Sequence, residues 1–250
     1  MGTYHSVAAV RECSPDDVEK AVCAYAAQHH VDCESIEVKE PPEPEEERPP
    51  RWPIFSRLLS KLKQEEKAPE AVGQGRSDVV IFAPVNGWTV LFWPPLFQRH
   101  DLPAARWLSR QLDATVSAVH TCEGDYWVHV LFDKGKEVDR FASRTDLAAP
   151  TPGAATRLMR KWRGDAAAVA GILGVDPRVV SRYYAHIGPE GPNTRLPGDQ
   201  FSLDDPWVFT DFWRSVGILY PEDTLRFERQ LGLSVDFPDK LPAATGTDDL

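Results

Sequence analysis

Sulfur is scarce in this 250-residue sequence, which holds two methionines and four cysteines. The cysteines, Cys13, Cys23, Cys33 and Cys122, make no C-x-x-C pair, so neither a zinc ribbon nor a disulfide framework is expected. No hydrophobic run approaches the roughly 20 residues that a membrane-crossing helix needs. The first ten residues lack a basic stretch followed by an apolar one, so export is not expected and a cytoplasmic location is. Positive charge is in deficit, with 28 Lys plus Arg against 38 Asp plus Glu and a net charge of −10. That balance opposes a surface built as a whole to grip nucleic acid. G-x-S-x-G, Walker, G-x-G-x-x-G, H-E-x-x-H and EF-hand patterns are all missing, which removes the enzyme families that carry them.

Hydrophobic residues make up 42% of the chain, enough to bury a sizeable core. An excess of Arg over Lys with abundant Ala and Pro suggests a GC-rich bacterial genome. Residues 1–38 read as strand, helix, strand: Ser14 precedes Pro15, Asp16 and Asp17 as a helix start, and Val18, Val22, Tyr25 and Ala26 give one apolar stripe. Residues 39–77 break the pattern with a Glu- and Pro-rich stretch, an expected linker carrying one basic amphipathic helix, from Arg51 to Lys63. That segment suggests self-docking, a partner's groove or weak contact with a membrane surface.

In residues 78–148, a buried strand at 79–82, an Asn86-Gly87 turn and a strand at 88–93 predict a hairpin. Asp101, followed by Pro103, reads as a helix cap. A meander over 115–122, 126–132 and 137–142 follows. The expected fold is therefore α+β, with a mostly antiparallel sheet built from two β-α-β-β-like units and helices on one face. A helical region over 149–241 and a flexible tail over 242–250 complete it.

The meander carries the candidate chemistry. If Gly124-Asp125 forms a two-residue turn, His120 faces His129. If Asp133-Lys134-Gly135 forms a three-residue loop, His129 faces Asp139. One face then gathers His120, Cys122, Trp127, His129, Asp139 and Phe141. Two imidazoles and a carboxylate suit either a divalent metal, with one position open, or a base and its orienting acid. A loop of two residues at Lys134-Gly135 instead sets Arg140 opposite His129. Trp127, Cys122, Phe141 and Trp93 are the expected ligand-binding residues, since indoles beside polar groups line binding pockets.

Further on, Val169-Ala170, Gly174-Val175 and Val180-Ser181-Arg182 lie at helix–turn–helix spacing. Over some twenty residues this resembles the DNA-binding corner of LacI-type repressors, which implies contact through Arg178, Ser181 and Arg182. It departs from that motif in lying mid-chain, in placing Pro177 at a usual contact position, and in having few cations. The leading expectation is a non-catalytic binding or accessory protein, immunity-like or small-molecule-binding, with a protein or small molecule as partner and no cofactor. A metal-dependent or acid–base enzyme using His120, His129 and Asp139 is the first alternative, and a DNA-binding regulator the second. Nucleic acid is not the expected partner.

Overall fold

A computed structural model describes residues 4–37, 78–94, 100–122, 125–147, 151–186, 194–224 and 226–233, without the side chains of Cys122 and Pro152. The expected linker over 39–77, its segment from Arg51 to Lys63 and the tail over 242–250 lie outside the described residues. The fold is α+β. The strands are β1 (His5–Arg11), β2 (Cys33–Ile36), β3 (Asp78–Ile81), β4 (Trp88–Trp93), β5 (Thr115–Cys122), β6 (Tyr126–Asp133), β7 (Lys136–Ala142) and β8 (Arg229–Leu233). They form one antiparallel sheet in the order β2-β8-β3-β4-β1-β5-β6-β7.

Both faces of that sheet are covered. Face one carries Ala8, Val10, Ile81, Leu91, Val116, Val128 and Val130 under α1 (Pro15–Gln28) and α2 (Asp101–Gln111), with Trp162 following α3 (Pro152–Lys161). Face two carries Val7, Ala9, Val90, Phe92, Val119, Trp127 and Phe141. It lies under α4 (Ala166–Leu173), α5 (Pro177–Tyr183) and α6 (Val208–Ser215). Central strands packed on both sides are apolar at most positions, and β4 is buried from end to end, Thr89 included.

Local chemistry sets the element ends. Ser14 accepts a hydrogen bond from Asp17 N, with Pro15 in the first turn, and so starts α1. Asp165 accepts from Ala167 N and Ala168 N and starts α4, which ends on a left-handed Gly174. Asn86 and Gly87, both at positive φ, close the β3–β4 hairpin as their sequence implies. Asp101 is the first residue of α2 and not its cap: His100 takes the cap position without a side-chain bond.

Two expectations are corrected. Cys23 and Cys33 are joined by a disulfide, a single bridge where none was expected. The meander register is also one residue away from that expected. Cys122 pairs with Tyr126, His120 with Val128 and Val119 with His129, where Cys122 was expected opposite Trp127 and His120 opposite His129. Because side chains alternate with period two, a one-residue change turns all of β5 over. On the other side the loop is the two-residue Lys134-Gly135. A bulge between Leu131 and Phe132 then sets Leu131 opposite Asp139 and His129 opposite Phe141, so neither Asp139 nor Arg140 faces His129 as expected, although Asp139 keeps the same side of the sheet. Gly135 is required there twice: its φ is 77°, and a Cβ would meet Arg110 Cβ at 2.5 Å.

Candidate functional site

Alternation along β1 sends Val7 and Ala9 to face two and Ala8 and Val10 to face one, with Ser6 beside them. In the sheet, Ser6 lies between Trp93 of β4 and His120 of β5, making one row across three strands. The start of α2 brings Asp101 over this row. Asp101 is 3% exposed, and its Oδ2 accepts hydrogen bonds from Tyr4 OH (2.5 Å), Ser6 Oγ (2.8 Å) and His120 Nδ1 (3.1 Å). Its Oδ1 accepts from Leu102 N at 2.7 Å. A buried carboxylate is stable only when so satisfied.

The consequence falls on His120. A carboxylate oxygen can only accept, so Nδ1 carries the proton and the lone pair of the neutral ring is at Nε2. Among the described residues Nε2 has no hydrogen-bond partner, and the side chain is 12% exposed. Beside this dyad, Tyr25 OH lies 3.3 Å from His100 Nδ1, and the His29 ring is 5.5 Å from that of His100. Burial, then the charge of Asp101, raises the Tyr25 phenol, so it stays protonated. Burial lowers His29. Ser6 donates to Asp101 and not to His120, so the geometry is not that of a serine nucleophile with its base.

The other sequence candidates meet on face two. His129 is fully buried, and its Nε2 lies 2.9 Å from Ser117 Oγ, which accepts from Trp213 Nε1 at 3.0 Å. His129 Nδ1 lies 2.6 Å from Tyr184 OH. Tyr184 in turn faces Asp139, whose charge, after burial, raises the phenol. Asp139 Oδ1 accepts from Asp165 N at 2.6 Å. With the Tyr184 hydroxyl directed to the Asp139 carboxyl, Tyr184 accepts from His129 Nδ1–H and Nε2 accepts from Ser117, which in turn accepts from the Trp213 indole. Burial holds His129 down to about 3, so the ring is neutral over the ordinary pH range.

His129 and Asp139 are thus brought together, through Tyr184, whereas His120 stands on the opposite face with Asp101. The expected His120/His129/Asp139 grouping does not form. Among the described residues no three His, Cys, Asp or Glu side chains are placed to hold a metal ion. Trp127 and Phe141 lie on face two and Trp93 on face one, each at most 5% exposed, so these expected ligand-binding residues neither share a face nor reach the surface. Cys122 pairs with Tyr126 at the backbone, and its side chain is outside the described set. Arg178, Ser181 and Arg182 share the exposed side of α5.

Sequence reasoning missed Asp101 as a hub, along with Tyr4, Ser6, Ser117, Tyr184 and Trp213. Each is ordinary in its local pattern and becomes polar machinery only through contacts 12 to 97 residues away. No family model, curated protein or solved structure matches the chain.

Proposed function

We propose that the chain binds a small polar ligand at the end of face one, with His120 Nε2 as the group that accepts the ligand's hydrogen bond or proton. One observation carries this reading: Asp101 fixes His120 in the Nδ1–H tautomer while Nε2 keeps no partner among the described residues. An oriented neutral imidazole at a solvent-reached position is what general-base chemistry requires. Tyr4 and Ser6 serve as supports, because their hydroxyls are spent on the carboxylate. The ligand is organic in this reading, and no metal is assigned a role.

An activated ester, p-nitrophenyl acetate, tests it without knowledge of the natural ligand. A positioned base contributes about 10²–10⁴-fold, so His120→Gln should slow ester turnover per folded molecule by at least about tenfold. Asp101→Asn should slow it as well, with far-UV circular dichroism confirming the fold. Equal turnover in His120→Gln and the parent chain sinks the proposal.

Contact with nucleic acid through Arg178, Ser181 and Arg182 has weaker support. Their shared exposure favours it, but α5 has only seven residues and the chain carries ten excess negative charges.

A further inference from the structure

The cysteine bridge joins two elements that are held to the body of the protein very differently. Helix α1 is fixed by five buried side chains, Val18, Ala21, Val22, Tyr25 and Ala26. Strand β2 has four residues, of which Glu34, Ser35 and Ile36 are exposed and only Cys33 is half-buried. Among the described residues it is the last strand of the sheet and pairs with β8 alone. Its one large apolar side chain, Ile36, is 39% exposed and contributes little burial. The last buried anchor before the strand is Val31. Among the described residues, what keeps β2 in place besides backbone pairing over four residues and the packing of Cys33 on the core is the bond from Cys33 to Cys23 on α1.

We propose that the Cys23–Cys33 bond is a redox-sensitive latch for this edge strand: reduction releases β2 and uncovers the edge of β8. β8 itself stays, because it pairs with β3 from Asp78 to Ile81 and buries Leu231 and Leu233. Release leaves the β8 backbone groups that bond to Cys33–Ile36 without those partners, which makes a sheet edge of the kind that pairs with extended segments.

The chemistry is thiol–disulfide exchange with a dithiol reductant. One thiolate of the reductant attacks a cysteine sulfur, forming a mixed disulfide and expelling the other cysteine as thiolate. The reductant's second thiol then displaces the first cysteine. The reductant leaves as its own disulfide, two electrons have passed to the protein, and Cys23 and Cys33 carry the two protons. Both cysteines are half-buried and within reach of a small dithiol. Cys13 does not compete, since burial and the charges of Asp17 and Glu12 push its thiol up and keep it from the reactive thiolate form.

Hydrogen exchange read by mass spectrometry on the full chain decides the matter, comparing the oxidised protein, the protein in dithiothreitol and the Cys23→Ser/Cys33→Ser double variant. Closing a loop of this size restricts the freed chain by up to about a hundredfold. Peptides over 33–36 and 229–233 should therefore exchange between about tenfold and a hundredfold faster once the bond is gone. Peptides within α1 should keep their rates, and Cys13→Ser should behave as the parent. Unchanged exchange at 33–36 in dithiothreitol overturns the proposal, as does loss of protection throughout α1, which would make the bond a global brace. A thiol count that fails to fall by two on treatment with oxidised glutathione also overturns it. The reduced parent chain serves as the readout if the double variant does not fold.

Discussion

Two histidines, the fully buried His129 and the half-buried His5, should make this protein lose stability in mild acid. Burial lowers His129 from the ordinary 6.5 to about 3 and His5 to about 4. The unfolded chain binds these protons at a higher pH than the folded chain does. Each histidine therefore contributes full stability above pH 6.5, and that contribution is lost as pH falls from 6.5 towards the folded values. Between pH 7.5 and pH 5 the loss is about 2 kcal/mol for each ring, at a limiting slope of about 1.4 kcal/mol per pH unit. Urea unfolding at pH 7.5, 6 and 5 measures it directly. The variant His129→Gln should be less stable than the parent at pH 7.5, because it disturbs the bonds to Ser117 and Tyr184. Its stability should nonetheless fall by about 2 kcal/mol less over the interval. Asp139 and Asp199, both raised by burial, act in the opposite direction as pH falls but are present in both proteins. The comparison of slopes isolates the imidazole. Parallel stability curves for the parent and His129→Gln would refute the argument that burial keeps this ring neutral.

Two further substitutions probe the same face. Tyr184→Phe removes the hydroxyl that meets His129 Nδ1 and leaves a buried donor unpaired, so denaturation should show a loss of about 1–3 kcal/mol. Gly164→Ala should cost about as much or more: φ is 73°, and a Cβ would lie 2.6 Å from Tyr184 Cε2. Its near-ultraviolet circular dichroism should change as Tyr184 is displaced from its stack on Phe141, and an unaltered spectrum would count against the contact.

What the sequence made legible is what local pattern encodes. Asn86-Gly87 marks a hairpin because both positions need positive φ, and Ser14-Pro15 marks a helix start because a hydroxyl and a fixed φ belong there. The meander strands were legible as strands, yet their register was not. Gly124-Asp125 resembles a two-residue turn, and nothing local reveals that Cys122 pairs with Tyr126 in place of Trp127. That one-residue shift decides which face His120 occupies. Lys134-Gly135 has the converse ambiguity, and the bulge after it puts Phe141 opposite His129 while leaving Asp139 on the same side of the sheet. Strand β8 was illegible for another reason. Five residues containing a glycine, Arg229 to Leu233, show only two buried apolar positions, and their partners Cys33 and Asp78 are far away in sequence. Asp101 is the same case among side chains. A helix-start aspartate reads as a cap, and its burial depends on β1 and β5 arriving beneath it.

The two central histidines show why a proton-transfer role belongs on face one. His129 sits in a continuous hydrogen-bonded chain, but folding disfavours its charged form by about 5 kcal/mol. A base that accepts a proton during a reaction must carry that charge, if only briefly, and here no solvent or carboxylate touches the ring to offset it. His120 differs in geometry: its Nδ1 lies 3.1 Å from the Asp101 carboxylate, its side chain is 12% exposed, and Nε2 is left for the donor. The same side chain on neighbouring strands is therefore a structural strut in one place and a candidate base in the other, according to which face the register assigns it. The ester assay separates the two. Per folded molecule, His129→Gln should retain the parent's turnover while His120→Gln loses it. Equal losses in both would mean that the reaction reports general disruption of the sheet and not a base at His120.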